Sequence, residues 1–209
     1  MKKTIIPAII AKNQKEFDER ISRVLWYAHT IQLDVMDGTF VKNKSLMFDF
    51  KLPEKKITYE AHLMMQNPLP WIKKNHKKFD TIIVHAESNE VEKTIIFLKK
   101  LKKKIGIALS PDTFLSRLQF LPMKSIDMIL IMTVEPGKYG SAFLPEVIPK
   151  ICDARNIFKK KDIEADGGID EKTISLVNHA GANRFVVGSF LQKSKDVKRD
   201  WRRLERSIK

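Results

Sequence analysis

The feature that most limits what this chain can fold into is a repeated alternation of short apolar runs with longer amphipathic stretches. Eight runs rich in Ile, Val and Leu stand out: Thr4–Ile10, Thr30–Met36, Ile57–Met64, Thr81–Ala86, Lys104–Leu109, Asp127–Met132, Asp162–Ala165 and Arg184–Val187. Runs this short and this apolar suit strands buried on both faces of a parallel sheet. Helical patterns lie between them. Phe17, Ile21, Val24 and Leu25 mark one, and Val91, Ile95, Leu98 and Leu101 mark another, entered through Ser88-Asn89-Glu90. Leu144, Val147, Ile148 and Ile151 mark a third, and Ile174, Leu176 and Val177 follow Asp170, a residue type suited to an N-cap. Trp201, Leu204 and Ile208 give a C-terminal amphipathic helix.

Eight strands in 209 residues means one strand-helix unit about every 26 residues, which predicts an α/β fold of the closed (β/α)8 TIM-barrel type at the short end of its size range. An open doubly wound sheet is the other candidate, but no Gly-x-Gly-x-x-Gly follows the first run. No linker or low-complexity break divides the chain, so residues 1–209 read as a single barrel domain. The start, Met1-Lys2-Lys3 followed by TIIPAIIA, has the outline of a signal peptide. Pro7 interrupts its short apolar stretch and no small-residue cleavage site follows, so it reads as the first buried strand. No apolar run approaches the ~18–20 residues that a membrane helix needs. Cys152 is the only cysteine, which excludes a disulfide scaffold and fits a reducing cytoplasm.

Lys and Arg number 39 against 25 Asp and Glu, a formal net charge of +14. The densest run, Lys99-Lys100-Leu101-Lys102-Lys103-Lys104, sits at a predicted helix end, where cations suit the helix dipole. Basic residues are not interleaved with aromatics and no nucleic-acid motif is present, so nucleic acid is not expected as a partner. A diffusely positive surface does attract small anionic metabolites.

In a barrel the active site forms at the C-terminal strand ends. Alternation puts Gln32, Asp34 and Met36 on one face of the second strand, and Glu60, His62 and Met64 on one face of the third. Asp166 closes the seventh strand just before Gly167-Gly168. Two carboxylates flanking a substrate carbon can act as base and acid. Asp34, His62 and Asp166 could equally hold a divalent metal. Glycine-bearing loops follow the later strands, at Gly137, Gly140 and Ser141, at Gly167 and Gly168, and at Gly188 and Ser189. Their backbone N–H groups can approach an anion closely, and such loops commonly form a phosphate site.

Taken together, these residues resemble the ribulose-phosphate 3-epimerase family, from about Pro7 to Ser189. The resemblance rests on Leu33-Asp34-Val35-Met36-Asp37-Gly38 with Phe40-Val41 and Asn43, on His62-Leu63-Met64, on Val84-His85-Ala86-Glu87, on Ala108-Leu109 with Pro111 and Thr113, on Pro136-Gly137, on Asp166-Gly167-Gly168-Ile169 and on Gly188-Ser189. It implies a ribulose-phosphate-binding barrel that epimerises a ketose phosphate at C3 through an enediolate, with Asp34 and Asp166 as the proton-transfer pair. It implies a divalent cation (Zn, Mn, Fe or Mg) on Asp34, His62 and Asp166, with Gln32 standing where the family carries a further histidine. Met36, Met64 and Met132 match three methionines that line the family's site, and Ala8 replaces a serine there. Tyr139 takes the place of a loop glycine, beside Lys138. The implied partners are a small phosphorylated sugar and further copies of the chain in a homo-oligomer, with no membrane. Two other readings remain: a metal-free phosphate-binding sensor barrel, and a decarboxylase or synthase of the same barrel superfamily. The latter wants a lysine that Asp34-Val35-Met36-Asp37 lacks.

Overall fold

A computed structural model describes residues 1–55, 57–137 and 140–209. The apolar runs form strands β1 (Thr4–Ile9), β2 (Thr30–Asp37), β4 (Thr58–Met64), β5 (Thr81–His85), β6 (Lys104–Leu109), β7 (Met128–Met132), β8 (Asp162–Asp166) and β9 (Arg184–Val187). They pair in parallel in the order β1-β9-β8-β7-β6-β5-β4-β2, and β2 returns to β1 through Ala8 opposite Gln32, so the sheet closes into an eight-stranded barrel. A two-residue strand, β3 (Lys44–Ser45), adds antiparallel to the upper end of β2.

Alternation along each strand sorts the side chains. On β2, Ile31, Leu33 and Val35 point outward into one continuous core between sheet and helices, which also takes Leu63, Ile82, Val84, Ile107, Ile129 and Phe185 from other strands. The inward residues form only small apolar clusters, such as Ile6, Ala8 and Val186, or Ile83, Ala108, Met128, Leu130, Met132 and Val134. Polar side chains separate these clusters. The outer layer supplies the ordinary hydrophobic driving force, about 1.5–3 kcal/mol for each large apolar side chain fully buried. The barrel interior is where the chain spends polar residues.

Helices α1 (Gln14–Val24), α2 (Leu69–Asn75), α3 (Val91–Lys100), α4 (Ile148–Ile157), α5 (Thr173–His179), α6 (Ser189–Gln192) and α7 (Val197–Ser207) cover the outside. Asn13 caps α1 by accepting from the Glu16 N–H, while Glu16 reaches back to the Lys12 N–H. The Asp170 carboxylate accepts from the N–H groups of Lys172 and Thr173 and so starts α5. Among the described residues, none of the helices is long and apolar enough to cross a membrane.

The regular strand-helix alternation breaks in two places. Between β2 and β4 the chain runs as β3 and loop, and Phe48 and Phe50 do the covering instead. Phe50 is buried against Phe17, Phe48 and Phe79, with ring centroids 5.8–6.2 Å apart. Between β6 and β7, Pro111 precedes a 3-10 turn at Leu115–Phe120, and Pro122 separates it from a second at Met123–Ser125. Proline disfavours a continued helix there, and only Leu118 of the first turn is buried.

Candidate functional site

Three strands bring the site together. Asp34 of β2 lies in register with His62 of β4, and Asp166 ends β8 between Met132 of β7 and Val186 of β9. Barrel closure carries these side chains from opposite walls to one point near the upper mouth. His62 Nδ1 sits 3.3 Å from Asp34 Oδ1 and 3.2 Å from Asp166 Oδ2. Gln32 lies beneath and between them. Its Nε2 donates to Asp34 Oδ1 and to Asp166 Oδ2, each at 2.8 Å. All four side chains are buried, with only the carboxylates reaching the pocket.

Burial pushes the Asp34 carboxyl up, and the neighbouring Asp166 charge pushes the same way, against hydrogen bonds from His62 and Gln32 that hold it down. Burial works to lower His62, but hydrogen bonds and charge from Asp166 and Asp34 outweigh it and bring the imidazole to about 10. With no other cation present, His62 is therefore the positive charge of the cluster. A bound metal would take over that role and need the Nδ1 lone pair instead.

Asp34, His62 and Asp166 each offer one ligand atom, all within 4.8 Å of one another, so they could hold a metal ion. The donor chemistry of Gln32 completes the test of fit. As oriented, its NH2 faces the carboxylates and its Oε1 is buried with no partner among the described residues. A half-turn of the carboxamide would present that oxygen to a cation beside the other three ligand atoms. The residues present thus fit a cation bound mainly by oxygen.

Above this cluster lies a pocket open to the barrel mouth. Its wall includes Ala8, Asp34, Met64, Met132 and Asp166, and its rim includes Gly137, Gly140, Ser141, Gly167, Gly168, Gly188 and Ser189. The structure therefore brings almost every residue singled out in the sequence to one opening. Met36 is the correction. It does not line the pocket but is fully buried one layer behind it, packed with Ile10 and Met64 under Phe40 and Val41. Lys138 and Tyr139 lie outside the described residues. Ile10, Val134 and Ile169, which sequence reasoning missed, also line the pocket. Their apolar character gave no signal beyond that of core residues.

The rim is shaped by close backbone packing. Gly167 adopts φ +119°, and a Cβ there would run into the Val134 side chain. Thr133 fixes this turn, its N–H donating to the Asp166 carbonyl at 2.8 Å and its hydroxyl to the Gly167 carbonyl at 2.6 Å. Asn43 Nδ2 donates to the Gly137 carbonyl at 3.1 Å and ties the neighbouring loop to the segment after β2. Lys193 Nζ lies beside Gly140, 3.5 Å from where a Cβ would stand. A lysine at this edge had no sequence signal among so many others.

A second polar group occupies the barrel floor beneath. Arg184 of β9 donates from Nε to Glu164 Oε2 at 2.6 Å and from Nη2 to Glu60 Oε2. Burial raises Glu60 well above the usual carboxylate range and the Glu164 charge adds to this, only partly opposed by Arg184. Glu60 therefore tends to keep its proton. Glu60 Oε1 and Glu164 Oε1 have no hydrogen-bond partner among the described residues, so the proton that Glu60 keeps spares the pair a second uncompensated charge.

Comparison with known proteins adds a family. The model of the ribulose-phosphate 3 epimerase family matches residues 4–192. The chain is 37% identical over 205 residues to a ribulose-phosphate 3-epimerase of Synechocystis, covering 90% of this chain and 88% of that protein. It is 35% identical over 182 residues to one from Bacillus subtilis, covering 82% and 83%. It is 32% identical to a chloroplastic ribulose-5-phosphate-3-epimerase of Arabidopsis thaliana over 92% of this chain and 72% of that one. Among solved structures, 3-hexulose-6-phosphate synthase from Salmonella typhimurium superposes with a TM-score of 0.71 at 15% identity, covering 98% of each chain. 3-Keto-L-gulonate-6-phosphate decarboxylase from Vibrio cholerae superposes with a TM-score of 0.74 at 13% identity, covering 100% of this chain and 98% of that one. At such identities these structures share the barrel fold.

Proposed function

The chain belongs to the ribulose-phosphate 3-epimerase family, and from that premise we propose that it epimerises a ketose phosphate at C3, interconverting ribulose 5-phosphate and xylulose 5-phosphate or a closely related pair. The observation that carries this reading is the convergence of Asp34 and Asp166 on one point from opposite walls, each 2.8 Å from the same Gln32 nitrogen. Inversion at a carbon next to a ketone needs a base on one face and an acid on the other. Two carboxylates, one from β2 and one from β8, supply that pair. A carboxyl raised by burial, as Asp34 is, is a stronger base than an exposed one.

The chain's own residues account for the rest of the reaction. One aspartate takes the C3 proton, leaving an enediolate, and the other returns a proton to the opposite face. The small Ala8 side chain and the thioethers of Met64 and Met132 leave an apolar wall that keeps water from competing for that proton. Backbone N–H groups at Gly168, Gly188 and Ser189 bind the phosphate, with Lys193 close enough to Gly140 to add a cation. When bound on Asp34, His62 and Asp166, a divalent cation would supply Lewis-acid stabilisation of the charge developing on the substrate oxygens. With an amide oxygen from Gln32 as fourth donor, the set holds one nitrogen and three oxygens, which accepts the harder Mn, Fe or Mg as well as Zn.

The test is an NMR assay of exchange of the C3 hydrogen with solvent deuterium, on ribulose 5-phosphate and on hexulose phosphates, with divalent metal added. Exchange on one of them is expected; none on any of them overturns the reading. The two Gln32 bonds also favour a second reading, a metal-free phosphate-binding barrel, because the amide satisfies both carboxylates without a cation. Metal analysis of protein purified without chelators separates the two. Near-stoichiometric metal supports the enzyme, and absent metal together with phosphate binding supports the sensor.

A further inference from the structure

Behind His62, a line of hydrogen bonds runs out of the barrel interior that the proton transfer does not use. His62 Nε2 and His85 Nε2 face each other at 2.9 Å. The two rings are nearly coplanar, 20° apart, with centroids 5.1 Å apart, so they meet edge to edge along their in-plane nitrogen directions. His85 Nδ1 in turn lies 3.2 Å from Glu87 Oε2. Glu87 Oε1 accepts from the Ser110 N–H at 2.8 Å and from the Thr113 hydroxyl. Both histidines are fully buried, and the Phe40 ring packs on His85 with centroids 4.4 Å apart.

This line has a direction. An ionised carboxylate only accepts hydrogen bonds, so Glu87 Oε2 requires the hydrogen to be on His85 Nδ1. Neutral His85 then has its lone pair on Nε2. Two ring nitrogens 2.9 Å apart hold one hydrogen between them, so that hydrogen belongs to His62 Nε2. The nitrogen of His62 left without an obligatory hydrogen is Nδ1, the atom that faces Asp34 and Asp166.

We propose that Glu87 and His85 are positioning residues that fix the tautomer of His62, so that its Nδ1 lone pair is available to a divalent cation at the Asp34–His62–Asp166 cluster. The orientation is imposed from Glu87, two side chains away from the cluster. This rests on reading that cluster as a metal set. Partners of this kind set ring orientation and basicity, and their removal commonly costs 10–100-fold in metal affinity.

Glu87→Gln is the informative change. Ser110 N–H and the Thr113 hydroxyl would hold the carboxamide oxygen and turn its NH2 toward His85 Nδ1. The polarity of the line then reverses, His85 carries its hydrogen on Nε2, and His62 Nδ1 is left protonated toward the site. Zinc serves as a diamagnetic probe, in two measurements on the whole chain. Isothermal titration with Zn2+ is expected to show a roughly 10- to 100-fold weaker Kd for Glu87→Gln than for the unsubstituted protein. Glu87→Asp, which keeps an acceptor, should recover part of that loss. Nitrogen-proton NMR of the unsubstituted, zinc-loaded protein should show hydrogens on His62 Nε2 and His85 Nδ1 and none on His85 Nε2.

A hydrogen on His85 Nε2 in that spectrum overturns the proposal even if Glu87→Gln fails to fold. Zinc affinity within twofold for Glu87→Gln also overturns it, while leaving the metal set intact. An unsubstituted chain that takes no zinc overturns both the relay and the metal reading beneath it. Loss of sugar-phosphate exchange with zinc binding and the hydrogen pattern intact would count against the proposed reaction alone.

Discussion

Two carboxylate pairs sit inside the same barrel, one above the other, and they are solved differently. On the floor, Glu60 and Glu164 close on Arg184, a cation that is part of the chain. Near the mouth, Asp34 and Asp166 close on Gln32 and His62, which bring donors but no permanent positive charge. A buried carboxylate pair needs a compensating charge in either place. Where the chain supplies it covalently, the carboxylates are buried against a fixed guanidinium and need no exchangeable ion. Where the chain withholds it, the charge comes from a proton on His62 or from an exchangeable ion, and the cluster can take part in chemistry. The mouth pair also faces a pocket and the floor pair does not contribute to it.

The largest expected effect breaks the upper pair. Asp34→Asn and Asp166→Asn each remove one of two proton-transfer groups and should lower kcat by about 10²–10⁴-fold. The change is nearly isosteric and relieves like-charge repulsion, so the thermal midpoint should not fall. Solvent-deuterium exchange and a melting curve on the same samples check this. A variant retaining most of its rate contradicts the assigned role.

Breaking the lower pair should do the reverse. Arg184→Met leaves Glu164 buried without its cation, which costs about 3–5 kcal/mol. For a chain of this size that is a fall on the order of 10 °C in Tm. Activity per folded molecule, measured well below the lowered Tm, should change little. A large loss of rate without loss of stability would mean that the floor communicates with the site, and the contrast drawn above would fail.

The contrast sharpens if Gln32 is replaced. Gln32→His puts an imidazole where the amide now bridges the carboxylates and should tighten divalent-metal binding by roughly tenfold, about 1.4 kcal/mol. Metal titration followed by Tm reads it, because ligand-linked stabilisation grows with the ratio of free metal to Kd. Stripping the metal with a chelator should cancel the gain. Unchanged affinity would show that Gln32 is already an adequate donor.

Much of this was legible in the sequence for a definite reason. Parallel strands are short, apolar and strictly alternating, so Ile31, Leu33 and Val35 announce the outer face of β2 and Gln32 and Asp34 announce the inner one. Strand ends then place Asp34, His62 and Asp166 at one mouth, and glycines mark the loops above. Three things were not legible. Among the described residues, the segments 38–55 and 110–127 carry no α-helix because aromatic packing and the prolines Pro111 and Pro122, not periodicity, shape them. Arg184 meets Glu60 across 124 positions of sequence only because the barrel closes. The direction of the Glu87–His85–His62 line depends on which nitrogen faces which atom, and residue types alone do not carry that.

The smallest effect concerns the floor pair and pH. Burial raises the Glu60 carboxyl in the fold, so the folded chain favours its protonated form. That contribution is complete below the unfolded glutamate value of ~4.3 and is lost as pH rises through the folded value. Glu60→Gln keeps a neutral, hydrogen-bonding side chain at every pH and leaves Glu164 to pair with Arg184. Its stability should therefore match that of the unsubstituted chain near pH 4 and exceed it increasingly toward pH 8, by on the order of 1 kcal/mol. Urea unfolding at a series of pH values measures the gap. A gap that narrows as pH rises would mean that Glu60 is ionised in the fold. Arg184 would then serve two full charges, and the lower pair would be as short of cation as the upper one.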